Sequence, residues 1–190
     1  MVIVTPYDDD AKAFYYNQKI NCMNAEGYIR LAENYYEFKK GKAFGGLDWG
    51  RGVWTYKNTW YWSSASSQIN GIPFGFNLGY GFGNTDAASE NMVFYNGKAH
   101  KLEGVTFCIP HDSSGKDDYL SPWQFVSSDG RFEATFEPIL NRHSHVNALV
   151  IESNQNQVFG KFTGYTVLDN GVRLEFSDLI GFAEKVYNRW

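Results

Sequence analysis

Between Gly45 and Gly52 the chain reads Gly-Gly-Leu-Asp-Trp-Gly-Arg-Gly, one carboxylate (Asp48) and one guanidinium (Arg51) among four glycines. Glycine has no Cβ, so such a run lets backbone approach a ligand closely. A carboxyl beside an indole, here Trp49, and shielded from water keeps its proton and can serve as a general acid, with Arg51 to orient it. Without a ligand the same run is a turn carrying an Asp–Arg pair. A second carboxylate, Glu90, closes the stretch Gly83-Asn-Thr-Asp-Ala-Ala-Ser-Glu. If that connection crosses a barrel mouth, Glu90 faces Asp48 across the interior; otherwise it is a solvated loop together with Asp86. Asp48 and Glu90 are the candidate proton donors.

The residues that would line such a site are aromatic and alternate. The chain holds 6 Trp, 13 Tyr and 15 Phe, 18% of all residues. On a strand, residues two apart share a face. Trp54, Tyr56, Trp60 and Trp62 fall in phase, as do Ile72, Phe74, Phe76, Leu78, Tyr80 and Phe82, while Pro73, Gly75, Asn77, Gly79, Gly81 and Gly83 occupy the alternate positions of the second run. A nearly bare face of this kind fits a sharp bend in a barrel, or a cavity wall against which a flat ligand lies. The candidate ligand-binding set is Trp49, Arg51, Trp54, Tyr56, Trp60, Trp62, Asn77 and Tyr80.

Other chemistries find less support. His143 and His145 share one strand face, but no third ligand stands at a recognisable spacing, so no metal site is expected. The stretch from His111 to Asp118 lacks the spacing and closing Glu of a calcium loop. There is no phosphate-binding glycine loop, no nucleophile elbow and no Cys–His pair, and no cofactor is expected. A net charge of −4 gives no cationic field for nucleic acid. Residues 58–85 are uncharged but rich in Ser, Asn, Gln and Gly, and they alternate, so no membrane span is expected. A start without a basic or apolar leader, and Cys22 and Cys108 in separate strand-like runs, read as a cytoplasmic chain with buried free thiols.

These residues are positioned by strands. Asn96-Gly97, Asp129-Gly130 and Asn170-Gly171 are hairpin turns between strand-like runs. Phe132, Ala134 and Phe136 alternate with charged residues as in a sheet wet on one side. About ten to twelve strands are expected. Asp178 as a cap, with Leu179, Phe182, Val186 and Trp190 on one stripe, predicts one C-terminal helix. Residues 1–190 make a single all-β domain, an antiparallel barrel closed by that helix, with a sandwich as the alternative.

Several segments carry a resemblance. They are Tyr15-Tyr-Asn-Gln-Lys-Ile-Asn-Cys-Met23, residues 47–62, Gly75-Phe-Asn-Leu-Gly-Tyr-Gly-Phe-Gly83, residues 87–102 and Phe159-Gly-Lys-Phe-Thr-Gly-Tyr165. They resemble the C-terminal lobe of an uncharacterised lipocalin-like (calycin-type) family of unknown function. More distantly the chain resembles the AttH and carotenoid hydratase (hydroxyneurosporene synthase) group, built from two such barrels, whose Asp-x-x-Trp-Gly motif is here the contiguous Asp48-Trp49-Gly50. The resemblance implies one lobe of a usual two, a cavity for an isoprenoid or polyene-like molecule, and a lyase or isomerase of hydratase type using Asp48 or Glu90. A lone lobe exposes the surface its partner would cover, so a homodimer is expected. The alternatives are a non-catalytic binder of a hydrophobic small molecule and a carbohydrate-binding β-sandwich.

Overall fold

The computed structural model describes every residue from Met1 to Trp190. It contains fourteen strands and no helix: β1 (Val2–Pro6), β2 (Phe14–Asn24), β3 (Gly27–Leu31), β4 (Asn34–Phe38), β5 (Phe44–Val53), β6 (Lys57–Ile69), β7 (Ile72–Tyr80), β8 (Met92–Tyr95), β9 (Lys98–Lys101), β10 (Val105–Cys108), β11 (Trp123–Ser127), β12 (Phe132–Ala148), β13 (Ile151–Val167) and β14 (Arg173–Arg189). No helix is long and apolar enough to cross a membrane. The all-β reading holds. The Asn96-Gly97 turn joins β8 to β9 with φ of 51° and 74°, and Asn70-Gly71, a turn the sequence reading missed, joins β6 to β7 with φ of 50° and 79°. Both residues of such a turn are left-handed, which Asn and Gly tolerate.

Nine strands form one antiparallel sheet in the order β10-β11-β12-β13-β14-β6-β7-β8-β9. It is an up-and-down meander whose last strand has come round to pair with its first, Val186 opposite Trp60. Because every neighbouring pair is antiparallel, β9 and β10 run in the same direction. Two strands linked so briefly in one direction cannot pair as a hairpin. The chain instead runs on through residues 102–104 from one edge to the other. Leu102 N–H still donates to Asn91 O, and Gly104 O already accepts from Ser128 N–H. The sheet is therefore a curled half-barrel with a seam, not the closed barrel expected.

The inside of the curl is full. Phe74, Phe76, Trp123, Phe125, Phe136 and Phe162 are each 0% exposed, and Phe132, Phe107 and Phe176 pack with them. Most of these ring pairs are tilted or edge-to-face, as in Phe76 with Phe162 at 5.0 Å and 84°. A ligand cavity between the aromatic faces is thus excluded from the interior.

The expected C-terminal helix is also corrected: residues 173–189 are β14. From Gly181 onward both faces of this strand are buried or half-buried, so its apolar residues do not alternate there. Leu179 and Ala183 point into the core, while Phe182 meets Trp62 on the opposite face. A register shift between Phe162 and Gly164, with Asp178 left-handed at φ 52°, puts Leu179 back in phase where a helix cap was expected. Cys108 is exposed and Cys22 half-buried, both free, so the buried-thiol reading fails for Cys108.

A small sheet, β1-β2-β5, lies against the outer face of β6 and β7. The glycine face of β7 is what admits it. A Cβ on Gly75 would stand 2.7 Å from Cys22 Sγ and 2.5 Å from Ala65 O, and one on Gly79 would strike Glu90. Neither curvature alone nor a ligand occupies that bare face; the chain's own β2 and Glu90 do. Gly75→Val is expected to cost about 1–3 kcal/mol by overpacking, and Phe162→Ala about 3–5 kcal/mol by cavity formation. Leu149→Ser, at a 93% exposed turn residue, should stay within about 0.5 kcal/mol of the parent. Urea denaturation reads all three.

Candidate functional site

The space between the two sheets is organised by a lysine. The inward face of β2 carries Tyr15, Asn17, Lys19 and Asn21, and Lys19 is 4% exposed. Its ammonium stands 2.8 Å from Asp48 Oδ1, 3.7 Å from Glu90 Oε2 and 3.6 Å from the centre of the Trp62 ring. A buried cation requires such company: two carboxylates supply charge, and an indole face supplies its negative quadrupole.

The partners hold one another. Asn77, 0% exposed, accepts from Trp62 Nε1 at 2.8 Å and donates through Nδ2 to Glu90 Oε2 at 2.9 Å and Glu90 O at 3.0 Å. Asn91 Oδ1 accepts from Gly79 N–H at 2.8 Å, which ties the Glu90 segment to β7. Trp62, Asn77, Glu90 and Lys19 thus close a ring of contacts, with Asp48 on its open side. Tyr15 stands next to it. Burial, with the charges of Asp48 and Glu90 adding, raises its hydroxyl well above the ordinary tyrosine range.

One step along β14 sits a third carboxyl. Glu184 pairs in register with Trp62, accepts from Trp60 Nε1 and Gln157 Nε2 at 3.0 Å each, and is 8% exposed. Burial pushes its acid above the ordinary glutamate value, against the pull of those two donors and of the Lys19 charge.

Beside the ring an open cleft of about 590 Å³ runs between the sheets. Lys19, Asp48, Asn77 and Trp62 form one end of its lining; Phe44, Ile180 and Phe182 give it an apolar wall, and Gly45 and Gly46 a bare one. Asn21 Nδ2 reaches across to Ser64 Oγ at 2.7 Å and Phe76 O at 3.1 Å, and Cys22 N–H to Ser66 Oγ at 3.0 Å, fastening β2 to the floor.

Of the residues singled out from sequence, Asp48, Glu90, Trp62 and Asn77 come together. The others do not. Residues an odd number apart on a strand face opposite ways, and Trp49 and Arg51 accordingly lie with Tyr16 on the solvent side of the small sheet, Trp49 edge-to-face with Tyr16 at 5.9 Å. Arg51 therefore does not orient Asp48. Trp54 and Tyr56 fall in the break between β5 and β6. Tyr56 is 52% exposed and donates to Val150 O. Trp54 and Trp60 pack with Phe82 and Tyr15, closest at 4.3 Å between Tyr15 and Phe82, adjoining the cleft without lining it. Tyr80 points to the other side of the sheet, stacked on Tyr61 at 4.6 Å. His143 and His145 are exposed beside Asn154 and Glu152, and no three His, Cys, Asp or Glu side chains cluster closely enough to hold a metal ion. Lys19 was missed. Its signal was available: in Tyr15-Tyr-Asn-Gln-Lys-Ile-Asn21 the polar residues at 17, 19 and 21 are in phase with one another.

Compared with known proteins, the chain matches a family model described as Domain of unknown function (DUF2804) over residues 1–190. No curated protein and no solved structure matches it.

Two outcomes follow from the charges. Lys19→Met leaves Asp48 and Glu90 facing each other without a cation, and should cost about 2–3 kcal/mol in urea denaturation, less than a fully buried pair because Asp48 keeps part of its surface wet. A carboxyl whose neutral form is favoured by folding, and whose acid is thereby weakened, contributes stability at low pH that is lost as pH rises. Wild type should therefore lose ground to Glu184→Gln as pH climbs from the ordinary glutamate value, where the unfolded chain ionises, up to the raised value in the fold. Paired denaturation curves at about pH 4 and about pH 8 check this; a constant difference between the two proteins would contradict it.

Proposed function

The chain belongs along its whole length to the DUF2804 family, a domain of unknown function, and from that premise we propose that it binds a small amphiphile in the cleft between its two sheets. The apolar body, isoprenoid or polyene-like in character, lies along Phe44, Ile180, Phe182 and Trp62, and a hydrogen-bonding head lies at Asp48. The observation that carries this reading is the Asp48–Lys19 pair set into the wall of a cleft that has Phe44, Trp62, Ile180 and Phe182 on its apolar side and Asn21, Ser64, Ser66 and Ser67 on its polar one. The charged side chains of the lining, Lys19 and Lys42 against Asp48 and Asp178, balance, so an uncharged hydrogen-bonding head suits the cleft better than a cationic or an anionic one.

The lipocalin-like description belongs to the same proposal. What supports it is the common direction of β9 and β10: taken as one strand bent at residues 102–104, they leave eight strands in the meander, the number of an up-and-down lipocalin barrel. With its interior filled by phenylalanine, such a lobe takes its ligand on the outside, under the small sheet. The outer face of that sheet, with Val2, Val4, Trp49 and Val53 about half exposed, supports pairing of two copies or of two lobes; light scattering of a monomer at micromolar concentration would end that part of the proposal.

Binding without proton transfer is our first reading, and the hydratase or isomerase the second. Protonating an alkene needs a free carboxylic acid on the cleft wall. Asp48 is there, but the Lys19 ammonium engages it at 2.8 Å. Glu184, which burial favours as the acid, lies beneath Trp60 and Gln157 and off the cleft lining. Titration calorimetry with dodecylamine, dodecanol and dodecanoate tests the binding reading. The alcohol should bind, and the amine and the carboxylate should each bind at least tenfold more weakly, with Trp62→Ala losing about 1–3 kcal/mol for the alcohol. Preference for either charged head, or binding untouched by Trp62→Ala, would move the site elsewhere. Turnover of an alkene lost in Asp48→Asn while binding persists would promote the catalytic reading.

A further inference from the structure

We propose that Lys19 holds its ligand covalently: the cleft takes a long-chain aldehyde, and the lysine amine condenses with the carbonyl to a protonated imine. The inference rests on the cleft-binding reading and narrows the uncharged head to a carbonyl.

The Lys19 side chain is only 5% exposed, yet it lines the cleft beside Asp48 and Trp62. An amphiphile seated with its head at Asp48 therefore brings that head to the amine. A cation needed only to pin two sheets together is served at least as well by arginine, whose fork grips carboxylates in pairs and does not release its proton. Lysine is the cation that can give a proton up and attack. Its surroundings are those of an amine that does so. Two carboxylates attend this one ammonium, one more than charge pairing requires. Lys42 lines the same cleft, but it is exposed to water.

The two carboxylates divide the work. Asp48 Oδ1 is 2.8 Å from Nζ, and its side chain, 35% exposed, lines the cleft. It is the proton shuttle. Glu90 Oε2 is 3.7 Å from Nζ, off the lining, and accepts from Asn77 Nδ2 at 2.9 Å. It remains the counter-ion. One ammonium proton goes to Asp48. The amine then adds to the carbonyl carbon, and the C=O electron pair moves to oxygen, which takes a second proton from nitrogen. Asp48 returns the first, water leaves with both, and the nitrogen lone pair closes a C=N bond whose nitrogen keeps the third. That nitrogen carries one positive charge before and after, so Glu90 and the Trp62 face 3.6 Å away hold the imine as they hold the ammonium. The chain lies on Phe44, Ile180 and Phe182, and the released water leaves by the open side of the cleft.

Dodecanal with cyanoborohydride, which reduces an imine to a stable secondary amine, followed by peptide mass mapping of the wild-type protein, tests the proposal. Lys19 should gain the alkyl chain about tenfold faster or more than Lys42 or any other exposed lysine, as a held amine and carbonyl allow. Excess dodecanol should protect Lys19 and leave the exposed lysines unprotected. By calorimetry dodecanal should bind about tenfold or more tighter than dodecanol. Lys19→Arg, which keeps a cation between the carboxylates, should lose both the adduct and that preference. The mapping needs no variant, so it stands whatever the stability of Lys19→Arg. If dodecanol binds and the alkyl chain is found on Lys42, on exposed lysines without protection by dodecanol, or nowhere, the imine is refuted while the cleft stands. A preference for dodecanal that survives in Lys19→Arg refutes it equally. If dodecanol does not bind and Lys19 takes no chain, both readings fall.

Discussion

An ammonium shut between two sheets is the constraint to which the rest of the molecule answers. Lys19 cannot keep its charge at 4% exposure unless the groups around it replace water. Asp48 comes from the neighbouring strand, Glu90 from the segment before β8 and the Trp62 face from the opposite sheet. Each of these is fixed in turn, Glu90 and the indole by the same buried Asn77. The glycines of β7 are the last link. They remove the side chains that would hold the small sheet away, so that β2 and Glu90 lie against the peptide planes themselves. A single charge thus touches β2's neighbour β5, the segment before β8 and the face of β6 at once.

Strands β6 and β7 serve two solvents at once. Their inner residues, Ala65, Phe74, Phe76 and Leu78, belong to a dry core of rings. Their outer residues, Trp62, Ser64, Asn77 and the glycines, face a polar layer of hydrogen bonds and one cleft. The aromatic excess of the chain divides between these layers. Most of the phenylalanines fill the curl, whereas the tryptophans of β6 work at the intersheet side, where an indole N–H has a partner to reach, Glu184 for Trp60 and Asn77 for Trp62.

What could be read from sequence follows this division. The two faces of β7 were legible because one is uniformly apolar and the other nearly bare, and the Asn-Gly and Asp-Gly turns because their backbone demands are local. Asp48, Glu90, Trp62 and Asn77 were found because their types are unusual at their places. The helix read into residues 178–190 failed because β14 from Gly181 onward is buried or half-buried on both sides, which erases the period of two that marks a strand. Arg51 and Tyr80 were drawn into the site by proximity in sequence, but strand parity sends them to opposite faces. Trp54 and Tyr56 were grouped with Trp60 and Trp62 across a break between β5 and β6 that resets the phase. Lys19 was passed over because a lysine on a strand ordinarily marks the wet side; here the wet side carries Tyr16 and Ile20 instead.

The pairing of β14 with β6 has a consequence for how the molecule is made. A ribosome delivers β6 and β7 early, at about 5–20 residues each second, yet the strand that must lie along the other edge of β6 is contained in the last seventeen strand residues of the chain, 173–189. Until these emerge, β6 offers an unpaired edge with Trp60 and Trp62 on it, and the half-barrel cannot curl shut. Edges of this kind invite pairing with foreign strands. The edge of β6 therefore waits for its partner while everything from Asn70 to Val172 is made, and it needs shielding through that interval.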